Sequence, residues 1–322
     1  MKNTLLSITI PTFNRAKDLE ACLESIALQV REAPALNDLV EIVISDNCSP
    51  DNTESVARKY ESEFANFVYV KNETNIGFDR NTLNVVVHAT STYCWYLGDD
   101  DVIQNGGIEL VINHLKDGLH DVMTVEATPT KSDSLHAVKK SYPESSLIEV
   151  SDGNEFYFKG YCQGGFSVLI FNREMWMSLV DTEDYLNYWL YYETVLKMLV
   201  ATKKKILYVS EPVIVTGQDC RWSENGTELF TFINSNLLME KMIGFGFDKD
   251  RVVAELEKNS QKIPIMTLRA KGHGLKYTIE NLKFMYRNLP YAHKHNLLAA
   301  TLVYFVPNFV VRLVRDTKKK LS

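Results

Sequence analysis

Apolar positions over the first 115 residues alternate between two periods. Leu5-Leu-Ser-Ile-Thr-Ile10 reads as a short strand stopped by Pro11. From Asp18 to Gln29 the apolar residues Leu19, Cys22, Leu23, Ile26 and Ala27 recur at helical spacing. Val40–Ser45 is a second strand, followed by the turn-rich Asp46-Asn-Cys-Ser-Pro-Asp-Asn52 and a short helix over Thr53–Tyr60. Phe67–Val70 reads as a third strand, Phe78–Ala89 as a helix, Tyr93–Leu97 as a fourth strand and Ile108–Leu115 as a helix. Residues 126–150 are polar and irregular, and Phe166–Phe171 returns to a strand before a helix over Arg173–Leu179. Tyr185–Ala201 is an aromatic helical stretch, and Ile206–Val209 and Pro212–Val215 read as two closing strands. Beyond Thr227 the alternation gives way to helices. Strand–helix alternation at this spacing predicts an α/β domain with a mostly parallel, Rossmann-like sheet flanked by helices, and then a helical C-terminal extension. The boundary falls near Trp222–Thr227, giving expected regions of 1–225 and 226–322.

Ligands of such sheets bind where the parallel strands end. Each predicted strand end here is polar: Pro11-Thr-Phe-Asn-Arg15, Asp46-Asn-Cys-Ser, Asn75-Ile-Gly-Phe-Asp-Arg80 and Asp99-Asp-Asp101. The last follows the aromatic run Tyr93-Cys-Trp-Tyr-Leu-Gly. Three adjacent carboxylates repel one another, and no Lys or Arg lies near them in sequence, so a hard divalent cation carrying phosphates is the expected occupant. A solvated acidic turn is the alternative. A net charge of -6 argues against a nucleic-acid binder. The five cysteines are scattered singly, without a CxxC pair, as free thiols in a reducing compartment would be. Residues 1–10 read as a strand rather than a signal peptide, and no run of about 18 apolar residues predicts a membrane span.

The four motifs, in this order at the ends of alternating strands, resemble glycosyltransferase family 2. The likeness covers about residues 5–115 well and 160–220 loosely. It implies a GT-A fold, an inverting transfer and a Mg²⁺ or Mn²⁺ cofactor. The strings Gly77-Phe-Asp-Arg-Asn, Tyr93-Cys-Trp-Tyr-Leu-Gly-Asp-Asp-Asp101 and Gly164-Gly-Phe-Ser are similar to the O-antigen branch that includes abequosyltransferases. That branch implies a nucleoside-diphosphate donor, with a CDP-deoxysugar as one option, and a lipid-linked oligosaccharide acceptor.

By this resemblance the nucleotide-sugar site lies in residues 1–115 and the acceptor side in 160–225. Pro11, Thr12, Arg15, Asp46 and Asp99 would line the donor pocket. Asp46 would accept from the base, or close an Asx-turn. Arg80 would reach the ribose and diphosphate, or stand on the surface with Asp79 as its ion-pair partner. Aligned on Leu97, Gly98 takes the first place of the family's Asp-x-Asp-Asp pattern, leaving Asp100 and Asp101 as metal ligands; Asp99 and Asp101 form a second Asp-x-Asp. Asp101 and Glu193 are the catalytic candidates, Glu193 as the general base, with Asp181, Glu183 and Asp184 as alternatives. Tyr192 stands where the family has a first acid before that base. Arg221 and Trp222 would belong to a lid over the diphosphate.

From Arg269 onward eleven Lys/Arg face two acids, so the tail carries about +9. Its apolar run Leu297–Val314 is broken at Pro307. Such a segment suits peripheral contact with the cytoplasmic face of the inner membrane, or packing on the catalytic domain or a second subunit. Homo-oligomerisation is left open. A sugar nucleotidyltransferase would use similar groups but normally has a glycine-rich phosphate loop after the first strand, which is absent here. A non-catalytic nucleotide- or glycan-binding module is the remaining alternative.

Overall fold

Leu6–Thr12 (β1) is buried at every position, because other strands flank it on both edges and helices cover both faces. The computed structural model describes residues 4–129, 147–162, 164–217, 228–289 and 291–311. After β1 come α1 (Ala16–Glu32), β2 (Val40–Asp46), α2 (Thr53–Tyr60), β3 (Phe67–Lys71), α3 (Phe78–His88) and β4 (Tyr93–Tyr96). Then follow β5 (Val102–Ile103), α4 (Gly107–Leu115), β6 (His120–Pro129), β7 (Leu147–Val150), α5 (Gly153–Phe158), β8 (Leu169–Asn172), α6 (Arg173–Leu179), α7 (Leu190–Ala201) and β9 (Lys205–Thr216). The sheet order is β3-β2-β1-β4-β8-β6-β9-β5, with β7 also on β9. β3, β2, β1 and β4 run parallel, while β8 joins antiparallel to both β4 and β6. The register sets Thr12 opposite Asp46, so two of the polar strand ends meet across one hydrogen-bonded pair.

The chain divides into two compact units, Met1–Asp219 and Cys220–Ser322. The core of the first is built from Leu6, Ile8 and Ile10 of β1, Ile42 and Ile44 of β2, and Trp95, closed by Leu19, Leu23 and Ile26 of α1. The second contains α8 (Glu228–Phe245), α9 (Lys249–Ser260), α10 (Ile263–Gly272), α11 (Ile279–Asn288) and α12 (Lys294–Phe305), around Leu229, Ile233, Ile263, Ala270, Met285 and Ala300.

Several sequence expectations are corrected. The region read as irregular begins and ends in strand: β6 runs through Pro129 and β7 starts at Leu147. Both are paired by β9, far away in sequence, and local pattern carries no trace of such a partner. The two closing strands are one, β9, whose register on β6 shifts around Val125–Ala127. The helix expected from Tyr185 starts at Leu190, because Tyr188 adopts φ 70°, outside helical geometry.

Candidate active site

The three carboxylates after β4 diverge, and each meets a different partner. Asp99 is buried, accepts from Thr12 Oγ1 at 2.7 Å and lies 3.5 Å from Arg15 Nη1. Burial pushes its carboxyl up to about 7, against the downward pull of Arg15 and Thr12. Asp100 is more open than Asp99, and its Oδ2 lies 2.7 Å from Arg15 Nη1. Asp101 accepts from Ser167 Oγ through Oδ2 and from Gly217 N, at 2.8 Å, through Oδ1. Burial raises its carboxyl too, with Ser167 and Gly217 opposing. The basic partner missing from the local sequence is supplied by folding. Arg15, distant in sequence, turns onto Asp99 and Asp100 and neutralises one of three charges.

Gly98 stands in front of these groups. A Cβ built there would lie 3.0 Å from Asp101 Oδ2, 3.2 Å from Asp100 Oδ1 and 3.3 Å from Ser167 Oγ. Three oxygens thus converge on a point that only a glycine leaves open. Hard oxygen donors carrying excess negative charge are the set that Mg²⁺ or Mn²⁺ takes, so the residues fit such an ion. The donors are two carboxylates and a hydroxyl; among the described residues no group of three or more His, Cys, Asp or Glu is gathered as a metal site.

The β1, β2 and α3 ends are tied into one polar edge. Asn47 N donates to Thr12 O at 2.9 Å and Asn14 N to Ser49 Oγ at 2.8 Å, locking the first loop on the second. Asn47 Nδ2 donates to Asn75 Oδ1 at 2.9 Å, and Asn47 Oδ1 accepts from Ile76 N at 2.8 Å. Beneath them Asn81 bonds Ser45 and Asn72, and Asn84 bonds Asn72. Pro11 and Thr12 are buried at this edge. Asp46 is fully buried; its Oδ1 accepts from Ser49 N at 2.8 Å and its Oδ2 from Tyr69 OH at 2.6 Å. In this arrangement Asp46 closes the turn and does not face solvent. Arg80 is exposed on α3. Asp79 is not its ion-pair partner: it is buried and accepts from Tyr188 N at 2.6 Å and Leu190 N at 3.2 Å.

Glu193 is in the first turn of α7 and 1% exposed. Its Oε1 lies 3.5 Å from Lys197 Nζ, and its Oε2 accepts a long bond, 3.4 Å, from Leu186 N. Glu193 is therefore a buried carboxylate and not a solvated one on the helix surface. Asp181 accepts from Glu183 N and Asp184 N, so those alternatives shape an exposed turn. Tyr191 and Tyr192 are buried, whereas Tyr188 is 66% exposed. Arg221 and Trp222 lie outside the described residues, as do Arg312, Arg315 and Lys318–Lys320.

Sequence reading gave no role to Ser167, although the Gly164-Gly-Phe-Ser string contains it. Trp95 Nε1 donates to Ser167 O at 2.8 Å, and Ser167 Oγ accepts from Gly98 N at 2.7 Å while donating to Asp101. The asparagine network and Asp79 gave no signal either, because each works through backbone groups from another element.

Among the described residues, the nine-stranded sheet with its flanking helices has a GT-A-like fold, and solved structures with that fold superpose on it. TarS 1–349 of S. aureus in complex with UDP gives a TM-score of 0.63 at 14% identity, over 99% of this chain and 92% of that one. The mannosyltransferase PcManGT of Pyrobaculum calidifontis, in complex with GDP-Man and Mn²⁺, gives 0.57 at 15% identity, over 94% and 87%. The model of glycosyl transferase family 2 matches residues 7–174, and the chain belongs to that family. It is therefore a glycosyltransferase, similar to bacterial enzymes of the O-antigen type. Abequosyltransferase RfbV of Salmonella typhimurium is 28% identical over 232 residues, 67% of each chain. The GalNAc(5)-diNAcBac-PP-undecaprenol β-1,3-glucosyltransferase of Campylobacter jejuni is 31% identical over 114 residues, 35% of each.

Proposed function

We propose that this glycosyltransferase moves a sugar, with inversion, from a nucleoside-diphosphate donor to a lipid-linked oligosaccharide of a surface polysaccharide. The observation that carries the reading is the convergence of Asp100, Asp101 and Ser167 around Gly98, beside the polar ends of β1 and β2. Asp100 and Asp101 would hold Mg²⁺ or Mn²⁺, which when bound supplies charge neutralisation at the departing diphosphate. Thr12 and Ser167 fix the orientation of Asp99 and Asp101. Arg15 holds Asp100 in place, and Arg80, free of the Asp79 carboxylate, is available to phosphate oxygens. Glu193 takes the proton of the acceptor hydroxyl, on the side of the centre away from the leaving group. Asp46 acts on the base through the turn it closes, with Pro11 lining that pocket. A deoxysugar donor accords with the likeness to the abequosyltransferase, and a lipid-linked acceptor with the likeness to the glucosyltransferase whose name carries PP-undecaprenol.

We also propose that the C-terminal unit rests on an anionic membrane surface, at the cytoplasmic face. Leu298, Leu302 and Phe305 lie on one face of α12 at 58%, 61% and 72% exposure, and Phe309 beyond Pro307 is 72% exposed. No Asp or Glu lies between Glu280 and Asp316, while Lys283, Arg287, Lys294, Arg312 and Arg315 do. No described helix is long and apolar enough to cross a membrane, which fits a helix lying in the interface plane.

The test is calorimetry of CDP, UDP, GDP and dTDP with Mg²⁺, Mn²⁺ or EDTA, followed by sugar release from the matching nucleotide sugars. One nucleotide should bind in a metal-dependent manner and lose that dependence in Asp100→Asn. Equal binding with EDTA would remove the metal from the reading.

A further inference from the structure

We infer that the exposed rings of Tyr188 and Phe78 form a stacking ledge for a pyranose ring of the acceptor glycan. The inference rests on the glycosyltransferase reading and names a recognition element within it. Tyr188 is 66% exposed and Phe78 40%, and their ring centroids lie 6.3 Å apart. The two rings adjoin and form one continuous exposed aromatic surface, which is the arrangement that marks ligand contact, unlike apolar residues scattered singly. Tyr188 also has φ 70°, a region that a bulky side chain enters only when its surroundings force it there.

The forcing group is Asp79. Its buried carboxylate takes the backbone N–H of Tyr188 and of Leu190, tying the loop before α7 to the first turn of α3. The ring of Tyr188 is thus held outward by a fixed backbone and is not a side chain left over from the core. The ledge continues inward. Phe78 packs on Phe166, with centroids 5.8 Å apart, and on Tyr191 at 6.1 Å. Phe166 precedes Ser167, the residue bonded to Asp101. A ring lying on Tyr188 and Phe78 is therefore placed along a packed path from the proposed metal ligands. It also lies beside the start of α7, whose first turn carries Glu193.

A sugar ring has an apolar C–H face and a rim of hydroxyls. An aromatic ring with a polar tip matches both, covering the face and leaving the rim wet. The acceptor is favoured over the donor sugar because Tyr188 comes from the loop that leads into the Glu193 helix. The donor's groups stand at the ends of β1, β2 and β4.

The experiment uses the full chain in Mg²⁺ with the nucleoside diphosphate that binds. Octyl glycosides of galactose, mannose and rhamnose serve as acceptor probes, read by saturation-transfer NMR and titration. Tyr188→Gly removes the ring yet suits the left-handed backbone, and Tyr188→Phe retains the ring. The glycoside that binds should lose about fivefold to tenfold in affinity in Tyr188→Gly and stay within about twofold in Tyr188→Phe. Nucleoside-diphosphate affinity should not change in either variant. Equal glycoside affinity in Tyr188→Gly overturns the ledge, as does a wild-type protein that binds nucleotide but none of the glycosides. A loss confined to the nucleotide sugar, relative to the free nucleotide, would assign the rings to the donor and also overturn it. If no nucleoside diphosphate binds the wild type, the proposed nucleoside-diphosphate donor fails first and takes the ledge with it.

Discussion

The carboxylate edge of the N-terminal unit and the last helix of the C-terminal unit depart from ordinary burial in opposite senses. At the edge, Asp79, Asp99 and Glu193 are under about a tenth exposed, although charged groups belong in water. On α12, Leu298, Leu302 and Phe305 are more than half exposed, although apolar side chains belong inside. Each departure is held by neighbours that are fully engaged. Thr12 holds Asp99, the backbone N–H groups of Tyr188 and Leu190 hold Asp79, and Leu186 N and Lys197 lie on Glu193. On α12, the buried Lys271 donates to the carbonyl oxygens of Val303, Tyr304 and Val306 at 2.9, 3.2 and 2.6 Å, satisfying the end of the helix. Buried charge and exposed hydrocarbon both cost stability, so both point to functions in which a ligand relieves the cost. In the proposed reading that ligand is cationic in one unit, and apolar with anionic heads in the other.

The largest test of the contrast is at the edge. Asp101→Asn and Asp100→Asn should each lower transfer by about 10³-fold, through loss of stabilisation of the leaving diphosphate. Gly98→Ala should produce a similar loss with the carboxylates intact, since its methyl would sit 3.0 Å from Asp101 Oδ2. Steady-state release of nucleoside diphosphate is the readout, and an active Gly98→Ala variant would show that the cradle is not used. Glu193→Gln should lower kcat by about 10²-fold with donor affinity retained, because the amide keeps the shape and loses the base. A fall in donor affinity instead would make Glu193 a structural group.

On the other side of the comparison, the double change Leu302→Glu and Phe305→Glu should weaken sedimentation with phosphatidylserine-containing liposomes by at least about 10-fold. Thermal unfolding should stay the same, since both residues are exposed. A clear drop in Tm would mean that the face is packed against protein. The smallest effect concerns Asp79. Burial raises its folded carboxyl, outweighing the two backbone bonds that lower it. A raised folded value means the native state holds its proton longer than the unfolded chain does. Stability should therefore fall as pH climbs from the ordinary aspartate range through the raised value, then level off. Asp79→Asn should lack that decline, and an identical pH profile in both proteins would contradict it.

Much of the first unit was legible in local pattern. β1, β2, α2, β3 and β4 fall within a residue or two of their periodic runs, and the Asp99-Asp-Asp101 turn marked the polar edge of the sheet. β6 and the continuity of β9 were not legible, because both depend on pairing across some eighty residues. The candidate site shows the same division. Asp100 and Asp101 stood out as charges with no basic neighbour in sequence, whereas Arg15 as the counter-ion of Asp99 and Asp100, Ser167 as a support and Asp79 as the clamp on Tyr188 appeared only on folding.

What the sequence determined by itself is what short-range periodicity and residue chemistry encode: alternating strands and helices, polar strand ends, a triplet of carboxylates and a basic apolar tail. The tertiary structure alone decided which of those carboxylates stay open, which atoms converge on Gly98 and which aromatic rings face outward. Those outcomes depend on contacts between residues tens of positions apart and on the burial that sheet closure imposes. Neither is a property of any local stretch of chain.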